Sequence, residues 1–180
     1  MLFVISWILL SREMNMVTDI FKWVFLFLLL LVLQSTVAPL ISIFGVRPDL
    51  MIIFIFLVSI HYGQLPAIWV GFAAGMLIDV YSPSLMGQTA LGLSISAALW
   101  GVFNKKYMTT DILIELTLLF LGTLLFGTVY IASAAAVVGA NINLSLSQFF
   151  VKTLPTGLYT TVVYLLFYIS SNVIYSYIKR

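Results

Sequence analysis

Apolar residues along this chain fall into long blocks, separated by short breaks rich in Gly, Pro, Ser, Asn and charge. The blocks are too long and too continuously apolar to be half-buried strands, and they predict six helices. The first runs over residues 20–41, with Thr18 or Asp19 as its N-cap and a late break at Pro39. The turn Phe44-Gly45-Val46-Arg47-Pro48-Asp49 leads into a second helix over 48–62, with Pro48 in its first turn and Asp49 at the positive end of its dipole. Gly63-Gln64 turns the chain back into a third helix, from Pro66 to about residue 81, so the second and third form a hairpin. A small polar loop over 82–88 precedes a fourth helix over 89–103, where Gly92 and Ser96 form a close-approach pair.

The segment 104–110 is polar and basic, and Thr109 or Thr110 caps a fifth helix over 111–138. At about 28 residues this helix exceeds what a bilayer needs, so it is expected to tilt or kink, with Gly122 and Gly127 as the places where a kink could form. The second helix, at about 15 residues or roughly 22 Å, is short and must lean on its neighbours. Residues 139–143 close the fifth helix, and 144–152 read as a short interfacial helix with Ser147 as its cap. Pro155-Thr156-Gly157 is expected to kink or break the start of a sixth helix that ends near 177, where Tyr175 and Tyr177 form an interfacial belt.

Composition identifies the solvent. Of 180 residues 63% are apolar and 8% charged, and the mean hydropathy is +1.18. A water-soluble domain of this size carries far more charge, so the fold class is an all-α integral membrane protein with six transmembrane helices. Residues 1–18 form an apolar extension or interfacial segment, too short to span, and 19–180 form one transmembrane domain. No cysteine occurs, which removes disulfides, thiol nucleophiles and thiolate metal sites. The net charge of +2 and the absence of a basic run beyond Lys105-Lys106 give no footing for nucleic acid.

Charge sets orientation instead. With both termini in the cytoplasm, Arg12, Lys22, Lys105, Lys106, Lys179 and Arg180 lie inside, and only Arg47 and Lys152 lie outside. The positive-inside bias favours that arrangement.

The third helix carries the most specific pattern. Ala67, Gly71, Gly75 and Asp79 recur every fourth residue and form one stripe. Small residues in such a stripe let a second helix approach closely, either a partner's helix or one within the bundle. Ala132 and Ala136 give the fifth helix a similar small face. Asp79 ends its stripe within a turn of the stop at Tyr81-Ser82-Pro83-Ser84, so it is either solvated near the headgroups or held by protein. The hairpin puts Arg47, Asp49 and Asp79 on one outer face, where a polar lock is expected: Asp79 held by Arg47 or by a loop amide from Gly87-Gln88-Thr89.

Reactive chemistry finds little support. His61 is the sole histidine, so neither a zinc site nor a serine-histidine nucleophile can be assembled in the usual form. Asp111 and Glu115 stand one turn apart beside Lys105 and Lys106 and read as helix capping and ion pairing rather than a proton relay. A proton-coupled carrier would place acids at mid-membrane, whereas Asp19, Asp49, Asp79, Asp111 and Glu115 all fall at expected helix ends. No catalytic, cofactor-binding or metal-binding residue is assigned.

In their order and spacing these features resemble the bacterial rod shape-determining MreD family: Arg47-Pro48-Asp49-Leu50, the Gly71-x-x-x-Gly75-x-x-x-Asp79 helix, and the Ser/Pro turn with Gly87. The basic loop at Lys105-Lys106 and Leu154-Pro155-Thr156 at the start of the last helix complete the likeness, which covers residues 20–180. The segments 1–10 and 139–152 lie outside it. The resemblance implies a non-enzymatic part of the elongation machinery (elongasome) in the bacterial cytoplasmic, or inner, membrane, a scaffold supporting cell-wall peptidoglycan synthesis and cell shape. Its implied partners are MreC, a single-span protein, together with RodA, the transpeptidase partner of RodA, and MreB. It also implies a compact bundle like the substrate-binding S-components of vitamin transporters, and a subunit of that kind is the alternative function.

Overall fold

The computed structural model describes residues 16–43, 45–82, 85–103, 111–138 and 147–178, with the side chains at 16–22, 38, 138 and 171–178 left aside. Among these residues the fold is six α-helices with no strand: α1 Met16–Leu40, α2 Leu50–Tyr62, α3 Gln64–Tyr81, α4 Gln88–Phe103, α5 Ile112–Val138 and α6 Leu154–Ile178. Three of them provide stretches long and apolar enough to cross a bilayer, at Gln64–Tyr81, Ile112–Val137 and Phe149–Ser170, and α1, α2 and α4 contribute shorter apolar stretches. The expected all-α membrane bundle is the architecture observed.

The shortest helix is the centre of the bundle. α2 touches each of the other five, and Met51 to Phe56 are buried in succession, together with Val58 and Ser59. A helix buried on every face has no need of an apolar stripe, which explains why its sequence is apolar all round. Phe56 stands edge-on to both Trp100 of α4 and Tyr164 of α6, at 5.3 and 5.5 Å between ring centroids. Such pairs add directional attraction to close packing. α1 lies along α2 through Leu26 and Leu30, and its Trp23 indole N–H donates to the Tyr62 hydroxyl at 2.6 Å.

Several local expectations change. α1 is already helical at Met16, so Thr18 and Asp19 lie within it and do not begin it. α2 begins at Leu50 with Asp49 as its N-cap, which puts Pro48 ahead of the helix and not in its first turn. Gly122 and Gly127 do not interrupt α5, which is one helix throughout. Each instead admits a neighbour: a Cβ on Gly122 would overlap the Trp100 ring, and one on Gly127 would overlap Thr153. The missing side chain serves close approach here.

The start of α6 differs as well. A π-helical turn at Phe149–Thr153 runs straight into α6, with the Leu154 amide donating to the Phe149 carbonyl. Pro155 therefore causes no break; the looser i+5 register directly before it relieves a position that has no amide to donate. The expected separate interfacial helix is thus joined to the span, although 144–146 fall outside the described residues, as do 1–15 of the expected extension 1–18, the cap at 109–110, the Lys105-Lys106 pairing and the close at 139–143. The Tyr175 and Tyr177 belt rests on side chains that are likewise not described.

Candidate functional site

The small-residue stripe of α3 is occupied from within the chain. Ala67, Gly71, Ala74 and Gly75 are buried, and the α3–α4 contact is the most extensive in the bundle. A Cβ built on Gly75 would land on the Ala90 backbone, and one on Gly71 would come within 3.2 Å of the Leu93 carbonyl oxygen. α4 thus fills the groove that the spacing left open to either a partner helix or the bundle.

That close approach carries the first turn of α4 to the end of α3, where Asp79 is only 4% exposed. Its carboxylate accepts hydrogen bonds from the Gly87 amide at 2.9 Å, the Thr89 amide at 3.1 Å and the Ala90 amide at 3.3 Å. The first amides of a helix have no partner within it and carry partial positive charge, so a carboxylate suits them twice over. An acid at the C-terminal end of its own helix is unfavourably placed toward that helix's dipole, and the α4 N-terminus offsets this. Gly87 holds φ at 91° with open space around its Cβ position. Backbone conformation, not crowding, calls for glycine at the residue that aims the first of these amides.

Asp49 forms a second node at the same end of the bundle. Its Oδ1 accepts from the Met51 amide at 3.0 Å and the Ile52 amide at 3.3 Å, capping α2. Its own amide donates to Thr160 Oγ1 of α6 at 3.0 Å, and the Leu50 amide donates to Gln34 Oε1 of α1 at 2.9 Å. Three helices therefore meet at one cap. Gln34 and Thr160 escaped the sequence reading; the only signal was a polar side chain set within an apolar run. Among the described residues Arg47 is exposed and is a hydrogen-bond partner of neither carboxylate. The structure places Asp49 and Asp79 in two separate nodes, with Arg47 in neither.

Further polar groups act as struts between α5 and its neighbours. Gln88 Nε2 donates to the Tyr130 carbonyl at 2.5 Å, Ser96 Oγ to the Gly122 carbonyl at 3.0 Å, and the Trp100 indole N–H to the Leu118 carbonyl at 2.8 Å. From α6, the Tyr164 hydroxyl donates to Glu115 Oε2 at 2.8 Å. Glu115 thus has a described partner in the bundle interior. His61 is exposed, with Nδ1 2.9 Å from its own helix's Leu57 carbonyl. No group of three His, Asp or Glu side chains is placed to hold a metal ion among the described residues. What this arrangement does chemically is fix helices against one another. On α5, by contrast, Ala132 and Ala136 are exposed.

No curated protein and no solved structure matches the chain. The family model described as rod shape-determining protein MreD matches residues 1–178, a longer reach than the motif resemblance, since it takes in both 1–10 and 139–152. With essentially its whole length matched, the chain belongs to the MreD family of rod shape-determining membrane proteins.

Proposed function

We propose that this protein is a non-enzymatic component of the cell-elongation complex in the bacterial cytoplasmic membrane, with both termini in the cytoplasm. It binds the single-span protein MreC and so supports peptidoglycan synthesis beside RodA, its transpeptidase partner and MreB. The match to the MreD family along 1–178 carries this reading. The distribution of polar groups supports it: Asp49, Asp79, Gln34, Gln88 and Ser96 all bond within the bundle. A scaffold needs such rigidity more than it needs reactive side chains.

With α4 seated on the Gly71 and Gly75 face, the small-residue surface open to a partner helix is the Ala132 and Ala136 face of α5. Small residues there let a second backbone approach closely, which is what drives association within lipid. Copurification of the tagged full chain, followed by mass spectrometry, tests this. MreC is expected with the wild type, and Ala132→Leu or Ala136→Leu is expected to reduce its recovery while the bundle stays monodisperse. Recovery of an ATPase module, together with a melting temperature raised by a vitamin, would replace this reading with that of a transporter subunit.

A further inference from the structure

Where the π turn meets α5, the two helices part around a cavity of about 190 Å³. Its wall includes Phe126 and Tyr130 of α5, and Gln148, Lys152, Thr153 and Thr156 from the chain entering α6. The volume is below the roughly 300 Å³ at which sites for drug-sized molecules begin, and it equals the space of about six waters. A small polar group fits it.

The chemistry of the wall has one sign. It offers an ammonium, an amide and hydroxyls, and none of its residues is an acid. Lys152 is exposed and stands within one turn of the start of the apolar stretch Phe149–Ser170, the end of a span where a lysine reaches toward the headgroup layer and its anions. The π turn brings Gln148, Lys152 and Thr153 to a cavity that opens beside apolar Phe126 and Ile131. π turns inside α-helices recur where side chains are placed for function.

We propose that this cavity holds the phosphate of an anionic membrane lipid. Lys152 supplies the countercharge, Gln148 and Thr156 supply donors, and the Phe126 and Ile131 wall lies beside the acyl chains. The site is independent of the MreC reading, because it involves neither Ala132 nor Ala136.

The test uses the purified full chain in neutral detergent, offered dioleoylphosphatidylglycerol and dioleoylphosphatidylcholine in equal amounts, with retained lipid read by native mass spectrometry. Phosphatidylglycerol is expected to be retained about tenfold over phosphatidylcholine, the scale of one charge-assisted contact. Lys152→Gln should abolish that preference, and Lys152→Arg should keep it. Thr156→Leu, which fills the cavity and leaves the charge, should abolish it too; if that variant does not fold, Thr156→Val removes the hydroxyl at nearly constant volume. A preference lost in Lys152→Gln but intact when Thr156 is changed would mean that the lysine attracts lipid without a seat, and the proposal fails. It fails equally if wild type shows no preference, or if inorganic phosphate alone raises the melting temperature in a Lys152-dependent way while no lipid is retained.

Discussion

Asp49 and Asp79 each neutralise a helix N-terminus at the same end of the bundle, by different routes. Asp49 caps the helix that follows it directly, through amides two and three positions along the chain. Asp79 belongs to α3 and reaches amides eight, ten and eleven positions away, across the loop into α4. The first bond set needs only local backbone geometry. The second exists only because Gly75 lets α4 lie against α3, so it reports on tertiary packing. A cap of the first kind sets where a helix starts, and one of the second kind sets which two helices stay together.

This difference predicts a graded series, read as reversible unfolding of the purified protein in micelles. Gly75→Leu should do most damage, about 3 kcal/mol or more, because the new side chain must displace the Ala90 backbone; it should dismantle the Asp79 node while leaving Asp49 bonded. Asp79→Ala should cost about 2–4 kcal/mol, since three amides lose their acceptor in a buried place. Asp79→Asn keeps an acceptor oxygen and should lose roughly half as much; stability and complex assembly equal to wild type in that variant would show that the carboxylate charge is idle. Asp49→Ala should cost about 1–2 kcal/mol, with Asp49→Ser restoring most of it, as for an ordinary N-cap. Arg47→Ala, altering an exposed side chain outside both nodes, should stay within about 0.5 kcal/mol.

The same contrast explains what could be read in advance. Helix positions were legible because lipid demands unbroken apolar runs, and Pro48, Gly63, Pro66 and Gly87 punctuate them. That Asp49 serves the positive end of α2 was legible because a local bond leaves a local pattern, while its place as the cap itself, with Pro48 ahead of the helix, was not. For Asp79 a loop amide stood among the expected partners, but choosing it over Arg47 required the position of α4. Gln34 and Thr160 had no pattern at all, since a lone polar residue in an apolar run does not name its partner. The packing role of Gly122 and Gly127 was not legible, because a missing Cβ permits a bend, an intruding side chain or both, and only the place of Trp100 and Thr153 reveals the intrusion. The π turn was hidden for a similar reason: its register follows from packing around Pro155, not from a periodicity of its own.

The central position of α2 has a consequence for how that helix is held in the membrane. Its 13 residues rise about 20 Å, well short of a hydrocarbon core about 30 Å thick, and from Met51 to Phe56 all its faces are covered by other helices of the same chain. A segment this short, bound to Gln34 and Thr160 at its first turn, has no stable resting place alone among lipids. It is held from both flanks of the chain instead: α1 and α6 meet at its N-terminal cap, and Gly63 closes it against α3.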